Sequence, residues 1–354
     1  MPQIHPLTLF CPAASQLGQS KAKSVEGPKI FVDLLERAEN HHQIQAVIKT
    51  LIKNRHYQSL SQGHFWYRIK TKQGSFEGVL TGVLAASKTQ NITTHEAVLE
   101  QRVKMFSDYL TVVGFQAEPV LLMHENNLAA AALGKHISNR KEDLLFHLGT
   151  ERHQLWTLSP GEVSRLSNFC EQQDQFHLAD GHHRYASTIN TAKESLNPPL
   201  LFSFLVAMDQ VKNAAFTWAI KDTQLAEQLF KNLPPESVCD KAVANIEIRT
   251  KDSHIYCQAK RSLTVSNYIV EKLLGITAKH KVDLKSLIAY YPPGKLSSEK
   301  AKAYPVIINF KPLSLDKIIT LAKAQKILPP KSSFILPKLP TGLYLSPLAK
   351  GQIK

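Results

Sequence analysis

Cysteine is scarce in this 354-residue chain, and the four present (Cys11, Cys170, Cys239 and Cys257) lie far apart with no C-x-x-C pair. That spacing excludes a thiolate zinc knuckle and a dense disulfide framework, and suits reduced packing residues in a cytosolic protein. No apolar run reaches the roughly 18 residues of a membrane span. The apolar patch Leu7–Cys11 precedes the first basic residue, Lys21, so it lacks the charged start of a secretory signal and cytoplasmic localisation is expected. No block of five or six consecutive Lys or Arg occurs, which argues against a disordered nucleic-acid tail. H-E-x-x-H spacing, internal repeats and low-complexity tracts are also missing.

What the chain has in excess is positive charge. Lys and Arg number 43 against 29 Asp and Glu, a net +14, with enrichment in the last third. Such an excess suits nucleic acid or an acidic membrane, and equally an enzyme of phosphorylated, anionic ligands. The remaining composition is that of a globular protein, 43% hydrophobic and 20% charged. The length accommodates two domains, or one large α/β domain with an appendage.

Strand and helix signals alternate along the chain, which predicts an α/β class with a mixed, α+β-like sheet. Residues 1–60 read as an irregular and helical lead-in, with an amphipathic stripe over Ile30–Ala38 and a second helix over Gln43–Lys53. Phe65–Lys70 and Phe76–Leu84 flank Lys72-Gln73-Gly74-Ser75, a hairpin signal. Thr93 or Thr94 is placed to cap a helix running to about Leu110, and Pro119–Met123 reads as a buried strand. Leu200–Met208 suits a strand covered on both faces. The core is expected over 61–232 and a C-terminal α/β region over 236–348, with a boundary at Leu233-Pro234-Pro235-Glu236. Strands near Ile246–Thr250, His254–Lys260 and Val306–Phe310, and a Ser314-capped helix, fill the second region.

The most informative stretch is Phe176-His177-Leu178-Ala179-Asp180-Gly181-His182-His183-Arg184-Tyr185. It reads as a strand, a glycine turn and a helix start. Such a turn offers free backbone N–H groups and a positive dipole end to a phosphate. Gly181 permits close backbone approach, and Arg184 has the geometry to grip an anion bidentately. The plain alternative is a solvated turn whose histidines cap the helix.

Three further segments carry polar chemistry. His95, Leu99 and Arg102 are spaced to share one helix face, with Glu96 in the first turn; a capping Glu beside a surface His is the competing reading. His153 adjoins a strand, where a lone imidazole is more often structural. Pro329–Leu343 bears Lys331, Ser332 and Lys338 in a proline-fixed backbone suited to anions. A histidine metal site is not assigned, because adjacent His182 and His183 cannot readily ligate one ion from a regular helix; Mg²⁺ carried on phosphate is the more plausible metal.

Taken together, these segments resemble the bacterial and archaeal family catalogued as domain of unknown function 1015. The likeness rests on Gly78–Gly82, Ile92–Glu96 with Arg102, Pro119, His153–Trp156, Ala179–Arg184, Leu273–Ile276 and the Pro-Pro-Lys-Ser-Ser…Pro-Lys-Leu-Pro-Thr-Gly-Leu tail, over about Phe65–Pro347. Two features depart from it. The usual Pro-Pro-Tyr-Asp-Val opening is absent from residues 1–64, and Phe216–Ile220 stands where a Thr-His-Arg is usual. The motif turn is also similar to that of the ParB/sulfiredoxin superfamily. That resemblance implies a small nucleotide-binding core, ATP or ADP with Mg²⁺ as ligands, and serine-like small-metabolite chemistry by analogy.

The expected function is a phosphate- or nucleotide-binding enzyme of phosphoryl transfer, kinase-like or phosphatase-like. Glu96, Asp180, His182 and His183 are its catalytic candidates. Gly181, His182, His183, Arg184, His95 and Arg102 would hold phosphate; His153, Lys331, Ser332 and Lys338 would hold a small anionic metabolite. The alternative is a nucleotide-switched binding protein, nucleic-acid-associated in one version, although no helix-turn-helix with a basic recognition helix stands out. His95, Glu96, His153 and the Lys331–Lys338 tail are expected to converge on Asp180–Arg184. Arg184 is expected to point into a pocket of unbalanced positive charge, so that Arg184→Ala weakens an anion complex roughly 10- to 150-fold.

Overall fold

Long alternating and apolar runs between 65 and 207 build one large mixed sheet. The computed structural model describes residues 2–13, 40–84, 91–191, 200–259, 264–276, 284–329 and 331–348; the stripe expected at Ile30–Ala38 lies outside them. The chain divides into two units, the first comprising Met1–Thr94, Val98–Val211 and Pro337–Lys354, the second His95–Ala97 and Lys212–Leu336. The division falls ahead of the Leu233–Glu236 turn. The reason is that Thr217–Ile220 already pairs into the second sheet, and helix Thr223–Asn232 packs with that sheet's core.

The first unit carries a nine-stranded sheet. Its spatial order is Ile92–Thr93, Phe176–Asp180, Val120–His124, Leu200–Ala207, Gly74–Leu84, Phe65–Thr71, Glu151–Thr157 and Leu144–Leu148, with Ile4–His5 also paired to Gly74–Leu84. The hairpin closes tightly, Thr71 opposite Gly74, so that Lys72 and Gln73 alone form the loop and Gly74 already belongs to the second strand. Leu200–Ala207 lies at the centre, parallel to Val120–His124 and antiparallel to Gly74–Leu84, and its apolar run is buried on both faces. Helices Leu128–Ser138 and Pro160–Glu171 cover a core of Trp66, Leu122, Trp156, Phe176 and Leu201. The second helix starts with a full capping box, Ser159 with Glu162. Helices His41–Lys53 and Glu100–Val113 enclose a smaller core with Tyr57 and Leu345.

The second unit is a five-stranded antiparallel sheet in the order His254–Cys257, Ile246–Arg249, Val306–Phe310, Thr217–Ile220, Ile288–Tyr291. Trp218, Leu229, Ile248, Ile269, Leu273 and Ile308 fill its core. Helix Leu315–Lys323 begins at Ser314, whose side chain accepts the Lys317 N–H. The class is thus mixed α/β.

All four cysteines are free thiols, and burial pushes the Cys11 thiol up to about 11 and Cys170 up to about 12. Among the described residues no helix is long and apolar enough to cross a membrane.

Candidate functional site

The motif strand ends at Asp180, and Gly181, at φ +94°, turns the chain into helix His182–Thr191. The first intrahelical bond runs from the Tyr185 N–H to the Gly181 carbonyl at 2.9 Å. The amides of His182, His183 and Arg184 therefore lie in the first turn of the helix. A Cβ on Gly181 would lie 2.8 Å from Val120 Cγ1 and 3.0 Å from Arg184 Nη2. Arg184 folds back over the turn because residue 181 has no side chain.

Arg184 is held from three sides. Its Nη2 donates to Asp180 Oδ2 at 3.0 Å, its Nη1 donates to the Pro119 carbonyl at 2.7 Å, and Nη1 pairs with Glu118 Oε1 at 2.6 Å. Thr341 donates to the other Glu118 oxygen at 2.6 Å, and Lys338 Nζ donates to Asp180 Oδ1. Burial works to raise the Asp180 carboxyl. Lys338 and Arg184 outweigh it, with His182 adding to them, so Asp180 stays ionised below the usual carboxylate range. The expectation of unbalanced positive charge is therefore corrected. Two carboxylates match two cations, and the guanidinium is occupied by the protein itself. The Asp180–Arg184 pair is an i, i+4 pair that the spacing already contained. Glu118 and Thr341 escaped the sequence reading, although the need to neutralise a half-buried Arg184 was a signal for such a partner.

The histidines divide. His182 is buried beside Asp180. His183 Nε2 accepts the Leu99 N–H at 3.0 Å, so the ring is unprotonated at that nitrogen and holds the start of a different helix, Glu100–Val113, rather than capping its own. Arg102 is exposed on that helix.

His95 and Glu96 are not in the helix, whose first residue is Glu100. Leu328 captures this segment instead: its N–H donates to the His95 carbonyl, and its carbonyl accepts the Ala97 N–H. The shared helical face of His95 and Arg102 is thereby overturned. Within the second unit, Glu96 accepts the Lys331 N–H at 3.1 Å and the Ser333 hydroxyl at 3.4 Å, and His95 Nε2 lies 3.2 Å from Ser333 Oγ. Lys331 adopts φ +64°, with its ammonium over the Phe216 ring and its carbonyl accepting from Trp218 Nε1. Ser332 is buried and donates to the Pro329 carbonyl at 2.6 Å.

His153 does not join the motif turn. It lies five strands along the sheet from Phe176–Asp180, wholly buried, with Nδ1 2.6 Å from the Tyr67 hydroxyl and its ring stacked on Phe146. Burial lowers its pKa, and a side chain without solvent access cannot receive a metabolite there. Tyr344 completes this aromatic cluster, and its hydroxyl is buried without a hydrogen bond from a described residue. Tyr344→Phe is expected to leave stability unchanged or raise it by up to about 1 kcal/mol in urea unfolding; a loss larger than that would reveal a hidden partner.

Among the described residues no three His, Cys, Asp or Glu side chains are grouped to hold a metal. A cavity of about 210 Å³ adjoins the turn, lined by Phe106 and Tyr109 on one side and Arg184, Ser187 and Thr188 on the other.

The sequence matches the model of the family described as Protein of unknown function (DUF1015) over residues 22–256. No curated protein matches it. Among solved structures, a C-terminally truncated SbnI from Staphylococcus aureus is similar at 13% identity and TM-score 0.46, covering 72% of this chain and 83% of that one. A mutant free serine kinase in complex with ADP is similar at 15% identity and TM-score 0.43, covering 72% and 87%. A conserved hypothetical protein from Pyrococcus furiosus is similar at 13% identity and TM-score 0.42, covering 72% and 90%. Likenesses this distant carry no functional argument.

Proposed function

This chain belongs to the DUF1015 family, whose description names no activity, and from the first unit's own residues we propose an enzyme that binds a phosphorylated small molecule at Asp180–Arg184 and transfers a phosphoryl group. The observation that carries the reading is the Lys338–Asp180 pair at the start of the motif helix. Lys338 is the most exposed member of the ionic cluster, with 38% of its side chain accessible against 21% for Arg184. It is the cation that an arriving phosphate can take over.

Transfer of Lys338 to the ligand has a second effect. Asp180 Oδ1 loses the partner that held its carboxyl down, so its proton affinity rises as phosphate binds. The released carboxylate accepts the proton of an acceptor hydroxyl. That oxygen bonds to the terminal phosphorus as the bond to the bridging oxygen breaks. Phosphate binding and base activation are coupled through one ammonium group. By the motif turn's resemblance the donor is a nucleotide, ATP or ADP, and the acceptor a small hydroxyl metabolite. Mg²⁺ would be carried by the ligand phosphates, because Glu118 keeps its oxygens on Arg184 and Thr341 and the released Asp180 oxygen serves as the base; there it would offset charge on the transferring group. His183 holds the Leu99 amide, and Arg184 keeps the turn in shape. His95, Glu96, Lys331 and Ser332 of the second unit carry no step in this scheme.

Calorimetric titration of ATP, ADP and inorganic phosphate tests the reading. Lys338→Ala is expected to weaken phosphate-bearing ligands at least about tenfold. Asp180→Asn is expected to retain binding and abolish turnover of nucleotide with a hydroxyl acceptor. Equal affinity in wild type and Lys338→Ala would remove Lys338 from the site. Tight nucleotide binding without turnover in wild type would favour the nucleotide-switched binding protein.

A further inference from the structure

A second cavity, about 260 Å³, lies in the first unit away from the motif turn. It sits where the parallel strands Val120–His124 and Leu200–Ala207 finish, with His124 opposite Ala207. The motif turn meets the same strand at its start, through Pro119 and Leu121. The carboxyl ends of neighbouring parallel strands are where open α/β sheets take ligands. The volume is just below the roughly 300–1,000 Å³ usual for small-molecule pockets.

Its floor is apolar, made by Trp66, Val79, Leu133, Leu166, Phe169 and Leu205. The charged side chains at its edge are of one sign. Asp209 and Glu77 are the only charged side chains among the described residues that line it, in a chain of net charge +14. Glu77 is already paired with Arg68. The Asp209 carboxylate makes no hydrogen bond or ion pair with a described residue. His124 is 6% exposed and lines the cavity, with its ring edge-on to Phe169. Its Nδ1 lies 2.7 Å from the Glu125 carbonyl. A carbonyl only accepts, so Nδ1 carries the proton and Nε2 presents a lone pair. No described residue donates to that nitrogen. A buried imidazole fixed in this tautomer is an acceptor awaiting a donor.

Helix Leu128–Ser138 also starts at this cavity, and an uncapped start would favour an anion. Here Asn127 Oδ1 accepts the Ala129 N–H at 2.8 Å and the Ala130 N–H at 3.3 Å, so those amides are satisfied within the protein. A carboxylate or phosphate arriving here would face Asp209 with no cation to receive it.

We propose that this cavity is a second ligand site, separate from the phosphate site, and that it takes a small protonated amine with an apolar or aromatic body. The body lies against the Trp66, Phe169 and Leu205 floor. The ammonium reaches Asp209 and donates to His124 Nε2.

Calorimetric titration of the full chain near neutral pH with three probes of one shape tests this: phenethylamine, phenethyl alcohol and phenylacetate. The amine is expected to bind, the alcohol to bind about tenfold more weakly, and the carboxylate not to bind up to about 10 mM. Asp209→Asn, at an exposed position, is expected to weaken the amine about tenfold and leave the alcohol unchanged. Ala130→Leu, which fills the cavity from the helix, is expected to abolish both. Equal binding of amine and carboxylate, no binding of the amine at 10 mM, or unchanged amine affinity in a folded Ala130→Leu protein would each overturn the proposal. Phosphate affinity measured on the same variants should not move, which keeps this test independent of the Lys338 site.

Discussion

Gly181→Ala is expected to cost about 3 kcal/mol of stability in the first unit and to loosen Arg184 from its carboxylates. Two costs add. Residue 181 sits at φ +94°, where an L side chain is strained by about 1–3 kcal/mol. The new methyl would also stand 2.8 Å from Val120 Cγ1 and 3.1 Å from Arg184 Nε. A flexible arginine would step aside, but this one is pinned by Asp180, Glu118 and the Pro119 carbonyl, so the crowding adds about 1–2 kcal/mol. Gly149 provides the comparison, with φ +59° and open space around it. Gly149→Ala should show the backbone cost alone, about 1 kcal/mol. Urea unfolding of the two variants side by side measures the difference. Equal losses would mean that the guanidinium is not rigidly held.

Acid should destabilise the protein well before its carboxylates titrate. His64 is 5% exposed, and burial, with a smaller contribution from His5, pulls its pKa from 6.5 down to about 4. Its Nδ1 lies 2.8 Å from Thr81 Oγ1, and that hydroxyl donates to the His5 carbonyl, so the imidazole must be the donor to Thr81. Its folded pKa lies below the unfolded value, so between pH 6.5 and about 4 the unfolded chain binds a proton that the native one does not. Stability from this group is complete above pH 6.5 and is lost as pH falls toward 4, by about 3 kcal/mol. Burial also lowers His124 and His153, so the total loss is larger. Unfolding free energies of wild type and His64→Gln across this range should converge toward acid by about 3 kcal/mol. Parallel curves would show that His64 already titrates normally in the folded state.

The parts of this molecule legible in the sequence are those decided by neighbours along the chain. The Phe65–Leu84 hairpin announced itself through alternation and its glycine turn, the motif through a strand, a glycine and a helix start, and Leu200–Ala207 through an unbroken apolar run. Features set by distant partners stayed hidden. Thr94 looks like a cap, yet Leu328 offers His95 and Ala97 two backbone hydrogen bonds and delays the helix to Glu100. Pro234-Pro235 looks like a boundary but makes a short turn within the second unit. Around the motif turn, the structure brings Lys338 and Arg184 together on Asp180, as residue type suggested. Their charge balance was misjudged, because Glu118 sits 66 positions before Arg184 and declares no role by itself.

Lys338 reaches Asp180 across 158 positions, and the same returning segment donates from Gly342 to Ala117 and pairs Ser346 with Gln116. On the ribosome this has a temporal consequence. A nascent chain that has emerged only as far as Leu336 already holds the motif strand, glycine and helix, yet lacks the ammonium and the short strand that close around them. Until those residues emerge, Asp180 faces Arg184 alone and the partner edge of Phe115–Gln116 is open. The first unit is therefore begun before residues 212–336 are synthesised and completed only after them. A chain stalled or clipped before Pro337 would lack Lys338 and the Ser346–Gln116 pairing and leave the first unit incomplete.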